Sequence, residues 1–257
     1  MPDSHPAEPS PARRRPWWQS APVLSLAVVV ALLALTLAWA WWRGAAQAPG
    51  PTVGQGLPWQ VQVAADGGSE VFGLRLGRTT ADEAMRRFGD DLRLSLVERS
   101  GQPPSLEAYV ETFQAGFIGG KLVLAFDADP AWLQAAAARA SRSERGGDDG
   151  LSRFKALAEA DLPQARQQAV SALAFLPAAR LDAETVAQRF GPPAERLSGP
   201  GGEQQLLYPG IGLAAVLPPA EGPQARARPV LQYVAPRDFE RRLRAPLLQA
   251  AAASAAR

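Results

Sequence analysis

The chain has 257 residues, 47% of them hydrophobic, with no Cys and one His, and its 27 basic and 25 acidic side chains leave a formal charge of +2. That length suits one membrane segment with one large or two small domains. Without Cys there is no disulfide, thiol nucleophile, iron–sulfur cluster or Cys-based zinc site, and His5, alone in a Pro-rich tail, excludes a His-clustered metal and a Ser-His-Asp triad.

Residues 1–20 read as a disordered cytoplasmic tail, with five Pro in the first 16 positions. Residues 21–42 (APVLSLAVVVALLALTLAWAWW) hold no charge, and as a helix would span roughly 33 Å, enough for a bilayer core. Trp17 and Trp18 precede this run, while Trp39, Trp41 and Trp42 close it, as expected of rings at two headgroup regions. Arg13, Arg14 and Arg15 lie before it against Arg43 after it, so the positive-inside rule predicts a bacterial inner-membrane protein with a cytoplasmic N-terminus and a periplasmic body. A cleaved signal peptide fits less well: its apolar core is shorter, and the best small-residue site, Ala46-Gln47-Ala48, is followed by Pro49. Four of the 27 basic and two of the 25 acidic residues fall within 1–43, leaving 23 of each in the body. A neutral body offers no field to attract phosphates, so no nucleic-acid partner is predicted. Residues 43–68, rich in Gly, Pro and Gln at their start, read as a flexible linker.

The body divides into a first unit, 69–145, and a second, 146–257. In the first, Val71–Leu76 reads as a short strand. Thr80 caps a helix, with Glu83 completing a capping box and Gly89 at the position of a left-handed stop. Extended segments follow at Leu92–Glu98, Ala108–Phe113 and Lys121–Asp127, with Gly119-Gly120 as a turn. Asp129 then caps a helix with Pro130 in its first turn, running to about Ser143, and a polar break spans Arg145–Gly150. A short helix follows Asp161. Val170–Leu176 reads as a strand, with helix as the alternative. Asp182 caps a further helix, with Leu181 and Val186 at hydrophobic-staple spacing and Gly191-Pro192 as its stop. Strands follow at Gln204–Tyr208, Leu213–Leu217 and Val230–Val234, and a last helix starts near Pro236.

Residues 78–89 (RTTADEAMRRFG) and 180–191 (RLDAETVAQRFG) share five identities in twelve, an internal repeat. The expected fold class is therefore α+β: a single N-terminal transmembrane helix followed by two tandem units, each strand–helix–antiparallel meander. The stretch 180–217 resembles the SmpA/OmlA family of small envelope proteins, which includes the BamE-type lipoprotein. The likeness rests on the Leu181-Asp182-Ala183-Glu184 start, the Phe190-Gly191-Pro192 stop, and Leu207-Tyr208 followed by Gly212–Leu217. It implies a non-catalytic scaffold for protein partners.

Chemical constellations are sparse. Gly116–Lys121 departs from a phosphate loop, because Ala115 holds the first Gly position and Leu122 follows the Lys, so it reads as a hairpin turn. Asp127-Ala128-Asp129 reads as a strand end and a helix cap in preference to a hard-cation site. Glu107 and Glu111 give no readable acid–base pair. No catalytic residue, cofactor or metal is predicted. Tyr208, Tyr233, Trp59 and Trp132 are either core residues or anchors for a partner, and Arg237 and Asp238 either contact that partner or cap the last helix. The predicted partner surface is Tyr208, Tyr233, Arg237 and Asp238. The predicted function is a membrane-anchored scaffold binding a protein in the envelope, with a ligand-binding or sensory ectodomain as the alternative.

Overall fold

A computed structural model describes residues 56–140, 143–146 and 152–255. The apolar run 21–42, its flanking Arg and Trp residues, the tail, the first half of the linker and Asp148-Asp149 lie outside them. Among the described residues no helix is long and apolar enough to cross a membrane.

The body is predominantly antiparallel β. Three short strands, β1 (Gln62–Val63), β2 (Ser69–Val71) and β3 (Leu74–Arg75), form a small sheet. The other ten form one continuous sheet: β4 (Leu92–Arg99), β5 (Ser105–Ala115), β6 (Ile118–Asp127), β7 (Ser143–Gly146), β8 (Ser152–Lys155), β9 (Ala169–Pro177), β10 (Glu195–Ser198), β11 (Gln204–Tyr208), β12 (Leu213–Leu217) and β13 (Val230–Val234). Their spatial order is β10-β11-β12-β13-β9-β6-β5-β4-β8-β7. This corrects the expected α+β pair of tandem units. β9, which would open the second unit, pairs with β13 on one side and with β6 along Gly120–Asp127 on the other. The two halves thus close each other's sheet edges, removing the unpaired edge each would otherwise expose.

One face of the central strands of the sheet is apolar. Leu106, Ala108 and Val110 of β5, Leu122 and Leu124 of β6, Leu173 and Phe175 of β9, Leu206 of β11 and Tyr233 of β13 all join one buried cluster, as the two-residue period of a strand requires. Four short helices contribute to the same cluster: α1 (Ala81–Phe88), α2 (Pro130–Arg139), α3 (Leu162–Arg166) and α4 (Ala183–Phe190). On the opposite face Leu207, Ala214 and Val234 pack with Phe239 and Leu243, which precede α5 (Ala245–Ala255).

The repeat helices α1 and α4 have equal lengths and equivalent caps. Thr80 Oγ1 accepts from the Glu83 amide and Glu83 from the Thr80 amide, and Asp182 accepts from the Thr185 amide. Their stops differ from the left-handed form expected: Gly89 and Gly191 have φ of 61° and 85° but extended ψ of −143° and −177°.

Two further readings are corrected locally. Val71–Leu76 is a hairpin turning at Phe72-Gly73, both with positive φ (54° and 71°), the geometry of a tight two-residue hairpin. A bulky residue rarely takes this conformation, but here the turn drives the Phe72 ring into the core, 5.1 Å from Phe113 and 5.4 Å from Phe175. Gly119 and Gly120 lie within β6, and the hairpin turns at Gly116-Phe117. A Cβ on Gly120 would stand 2.5 Å from the Leu176 carbonyl oxygen, so the β6–β9 junction needs a glycine there.

Candidate functional site

An apolar cleft of about 540 Å³ opens where three distant segments meet. The first is the turn at Pro58-Trp59. It is fixed by the Gln60 amide donating to the Leu57 carbonyl at 3.0 Å and by the Tyr233 hydroxyl donating to the Pro58 carbonyl at 2.9 Å. The second is the tip of the β5–β6 hairpin, carrying Phe117, which is 68% exposed. The third runs from the end of β9 into α4. The Ala178 amide donates to the Gly119 carbonyl at 2.8 Å and holds this segment against β6. Leu181, Thr185, Val186, Arg189 and Phe190 follow at the spacing of one helical face and turn it to the cleft. Phe175 and Leu231 contribute from the sheet.

Arg189 is the only charged side chain among the described residues lining the cleft. Its guanidinium lies over the Trp59 ring, 4.9 Å from the centroid, and the Trp59 and Phe117 rings stand 6.2 Å apart at 58°. A cation held over an aromatic face in this way keeps its capacity to donate hydrogen bonds. Among the described residues no carboxylate pairs with it.

The predicted partner residues lie elsewhere. Tyr233 is fully buried, and burial pushes its hydroxyl well above the usual phenol range. Tyr208 is buried beside Phe190, ring centroids 5.8 Å apart, and its hydroxyl is without a hydrogen-bond partner among the described residues. Burial raises its pKa, against a small opposing pull from Arg196. Arg237 is at the surface, donating to the Asp66 carbonyl at 3.0 Å and packing over Gly67. Asp238 accepts from Arg241 at 2.8 Å. None of the four lines the cleft; Tyr233 reaches it through Pro58. Trp132 packs against the main core, whereas Trp59 forms a cleft wall. Sequence reasoning missed Phe117 and Arg189. The first stood in a segment read only as a hairpin turn, and the second in a helix valued for its caps.

One other polar cluster is elaborate enough to consider for chemistry. Glu107 on β5 is buried and accepts from Arg99 at 2.6 and 3.0 Å, from Ser105 at 2.7 Å and from Tyr109 at 2.7 Å. Burial pushes its carboxyl up, but these hydrogen bonds outweigh it and hold the group below the usual carboxylate range. With both oxygens occupied and the charge stabilised, Glu107 is placed to knit β4 to β5 and is poorly suited to proton transfer. Asp129 caps α2 by accepting from the Trp132 amide at 2.8 Å, and Asp127 pairs with Arg242 at 3.0 Å. Among the described residues no group of three potential ligands is placed to hold a metal.

The chain matches no protein-family model, no curated protein and no solved structure.

Proposed function

We propose that the body is a binding module that takes an apolar ligand into the cleft between Trp59, Phe117 and α4, and that the run 21–42 carries it at the periplasmic face of a bacterial inner membrane. The cleft carries this reading. Ligand sites are concave, mostly apolar and a few hundred to about a thousand Å³ in volume, with few polar groups to fix orientation. This one has about 540 Å³ and a single cation at its rim. It requires no catalytic group, in keeping with the sparse chemistry of the sequence.

The test is saturable uptake of the apolar fluorophore N-phenyl-naphthylamine by the full chain held in amphipol. Ala178 is exposed and lines the cleft, so Ala178→Trp fills the site without disturbing the core. Saturable binding abolished by A178W supports the reading; uptake that is non-saturable or unchanged in A178W refutes it.

A second reading, a scaffold for an envelope protein, is favoured by the exposure of Phe117 beside Trp59 and by the resemblance of 180–217 to the SmpA/OmlA family. Aromatic anchors of this kind concentrate binding energy in protein interfaces. A photo-crosslinker at position 117 in intact cells separates the two: a discrete protein adduct supports the scaffold, and its absence alongside saturable fluorophore binding supports the ligand site.

A further inference from the structure

The cleft combines two features that together restrict its occupant. Its walls offer few hydrogen-bonding side chains: among the described lining residues these are Thr185, Arg189 and the indole N–H of Trp59. A peptide laid into it would bring an N–H and a C=O with every residue, and groups buried without partners are costly. A hydrocarbon chain brings none. The walls also hold a cation that no carboxylate among the described residues neutralises, lying 4.9 Å from the Trp59 ring centroid and without a hydrogen bond to another described residue. A stacked guanidinium is suited to receive a planar or tetrahedral anion through two parallel hydrogen bonds. The nearest acidic residues in sequence are otherwise engaged: Glu184 accepts from Gln188, Glu195 from Arg244, and Asp182 from the Thr185 amide.

From this geometry we infer that the occupant is a monoacyl anion, one hydrocarbon chain lying in the cleft with its anionic head on Arg189. The inference rests on the binding reading above and names the ligand class of that site. The position of the cleft in the chain agrees with it. Pro58 follows Trp42, the last residue of the apolar run, by sixteen residues, so one wall of the cleft is tethered close in sequence to the segment proposed to lie in the bilayer, the source of such chains.

The probes are palmitate and palmityl alcohol, equal in chain and different in head, titrated by calorimetry against the full chain in amphipol. The wild-type protein is expected to bind palmitate more tightly than the alcohol. Arg189→Gln is expected to weaken palmitate binding roughly tenfold or more, the scale of a charged hydrogen bond, and alcohol binding by much less; the retained alcohol binding shows that the variant is folded. Ala178→Trp is expected to abolish both. Equal affinities in the wild type, with neither altered by R189Q, would overturn the anionic head and leave the apolar site standing. Saturable binding of neither probe would overturn the site itself.

Discussion

The Tyr233 hydroxyl donates to the Pro58 carbonyl oxygen at 2.9 Å across 175 residues of chain. Tyr233 is fully buried on the core face of β13, so a wall of the cleft near the start of the body is pinned to the core near its end. Tyr233→Phe keeps the ring and removes the donor, leaving the Pro58 carbonyl without this partner. Loss of one side of a buried hydrogen bond costs about 1–3 kcal/mol. Urea denaturation is expected to show a lower midpoint at an unchanged slope, and fluorophore affinity for the cleft is expected to fall with it. An unchanged midpoint would show that water replaces the tyrosine.

Glu107 ties β5 to β4 through Arg99, and Ser105 and Tyr109 of its own strand donate to the same carboxylate. Breaking a buried ion pair by neutralising one partner costs about 3–5 kcal/mol. Arg99 is partly exposed and can recover solvent, so Glu107→Gln is expected to cost about 2–3 kcal/mol at neutral pH, less than most of that range. The folded pKa of Glu107 lies below its unfolded value, so its contribution is fully present above the unfolded pKa and is lost as pH falls through the folded one. The gap between wild type and E107Q is therefore expected to narrow below about pH 4.5, the ordinary value for this group. A gap constant with pH in denaturation profiles would contradict this.

The strands Gln204–Tyr208, Leu213–Leu217 and Val230–Val234 lie where apolar, β-branched and aromatic runs between turn residues predict them, and both repeat helices start at their predicted caps. These features are local. The merging of two expected units into one sheet is not: it depends on β9 accepting β6 as a second neighbour, and no residue in either strand advertises that pairing. The Phe72-Gly73 turn was illegible for the opposite reason, since its local preference argues against a Phe at positive φ and only the aromatic cluster it enters reverses that. The cleft was half legible. Trp59 stood out as an aromatic outside the apolar run, but its pairing with Arg189 and Phe117 joins segments 130 and 58 residues away.

Phe72 meets Phe113, Phe175 and Tyr233 at centroid distances of 5.1, 5.4 and 6.0 Å, edge-on in each case. The ring lies at the centre of the core while its backbone is held at a φ of 54°. Phe72→Ala removes the packing and keeps the unfavourable backbone conformation, so a loss of about 3–5 kcal/mol is expected. Phe72→Gly relieves the conformation and loses the same ring. The glycine variant is therefore expected to be no less stable than the alanine variant, although glycine ordinarily costs more than alanine in structured segments. Thermal unfolding of the two, side by side, reads this order directly; an alanine variant clearly above the glycine variant would show that the turn carries no strain.

The two equivalent N-cap side chains differ in chemistry: Thr80 does not ionise and Asp182 does. The backbone hydrogen bond from Thr185, followed by the Thr185 side chain, holds the Asp182 carboxyl below its usual range. Its contribution is present above the unfolded pKa and disappears as pH falls through the lower, folded value. Thr80→Ala removes only the hydroxyl that accepts from the Glu83 amide, a neutral group, and is expected to cost about 1 kcal/mol, by the same amount at pH 7 and pH 3. Asp182→Asn keeps an acceptor oxygen while removing the charge that favours a helix N-terminus. It is expected to destabilise the protein at pH 7 and to approach wild-type stability at pH 3. Chemical denaturation of wild type and both variants at the two pH values checks this, and an Asp182→Asn deficit that persists undiminished at pH 3 would assign the cap's contribution to geometry instead of charge.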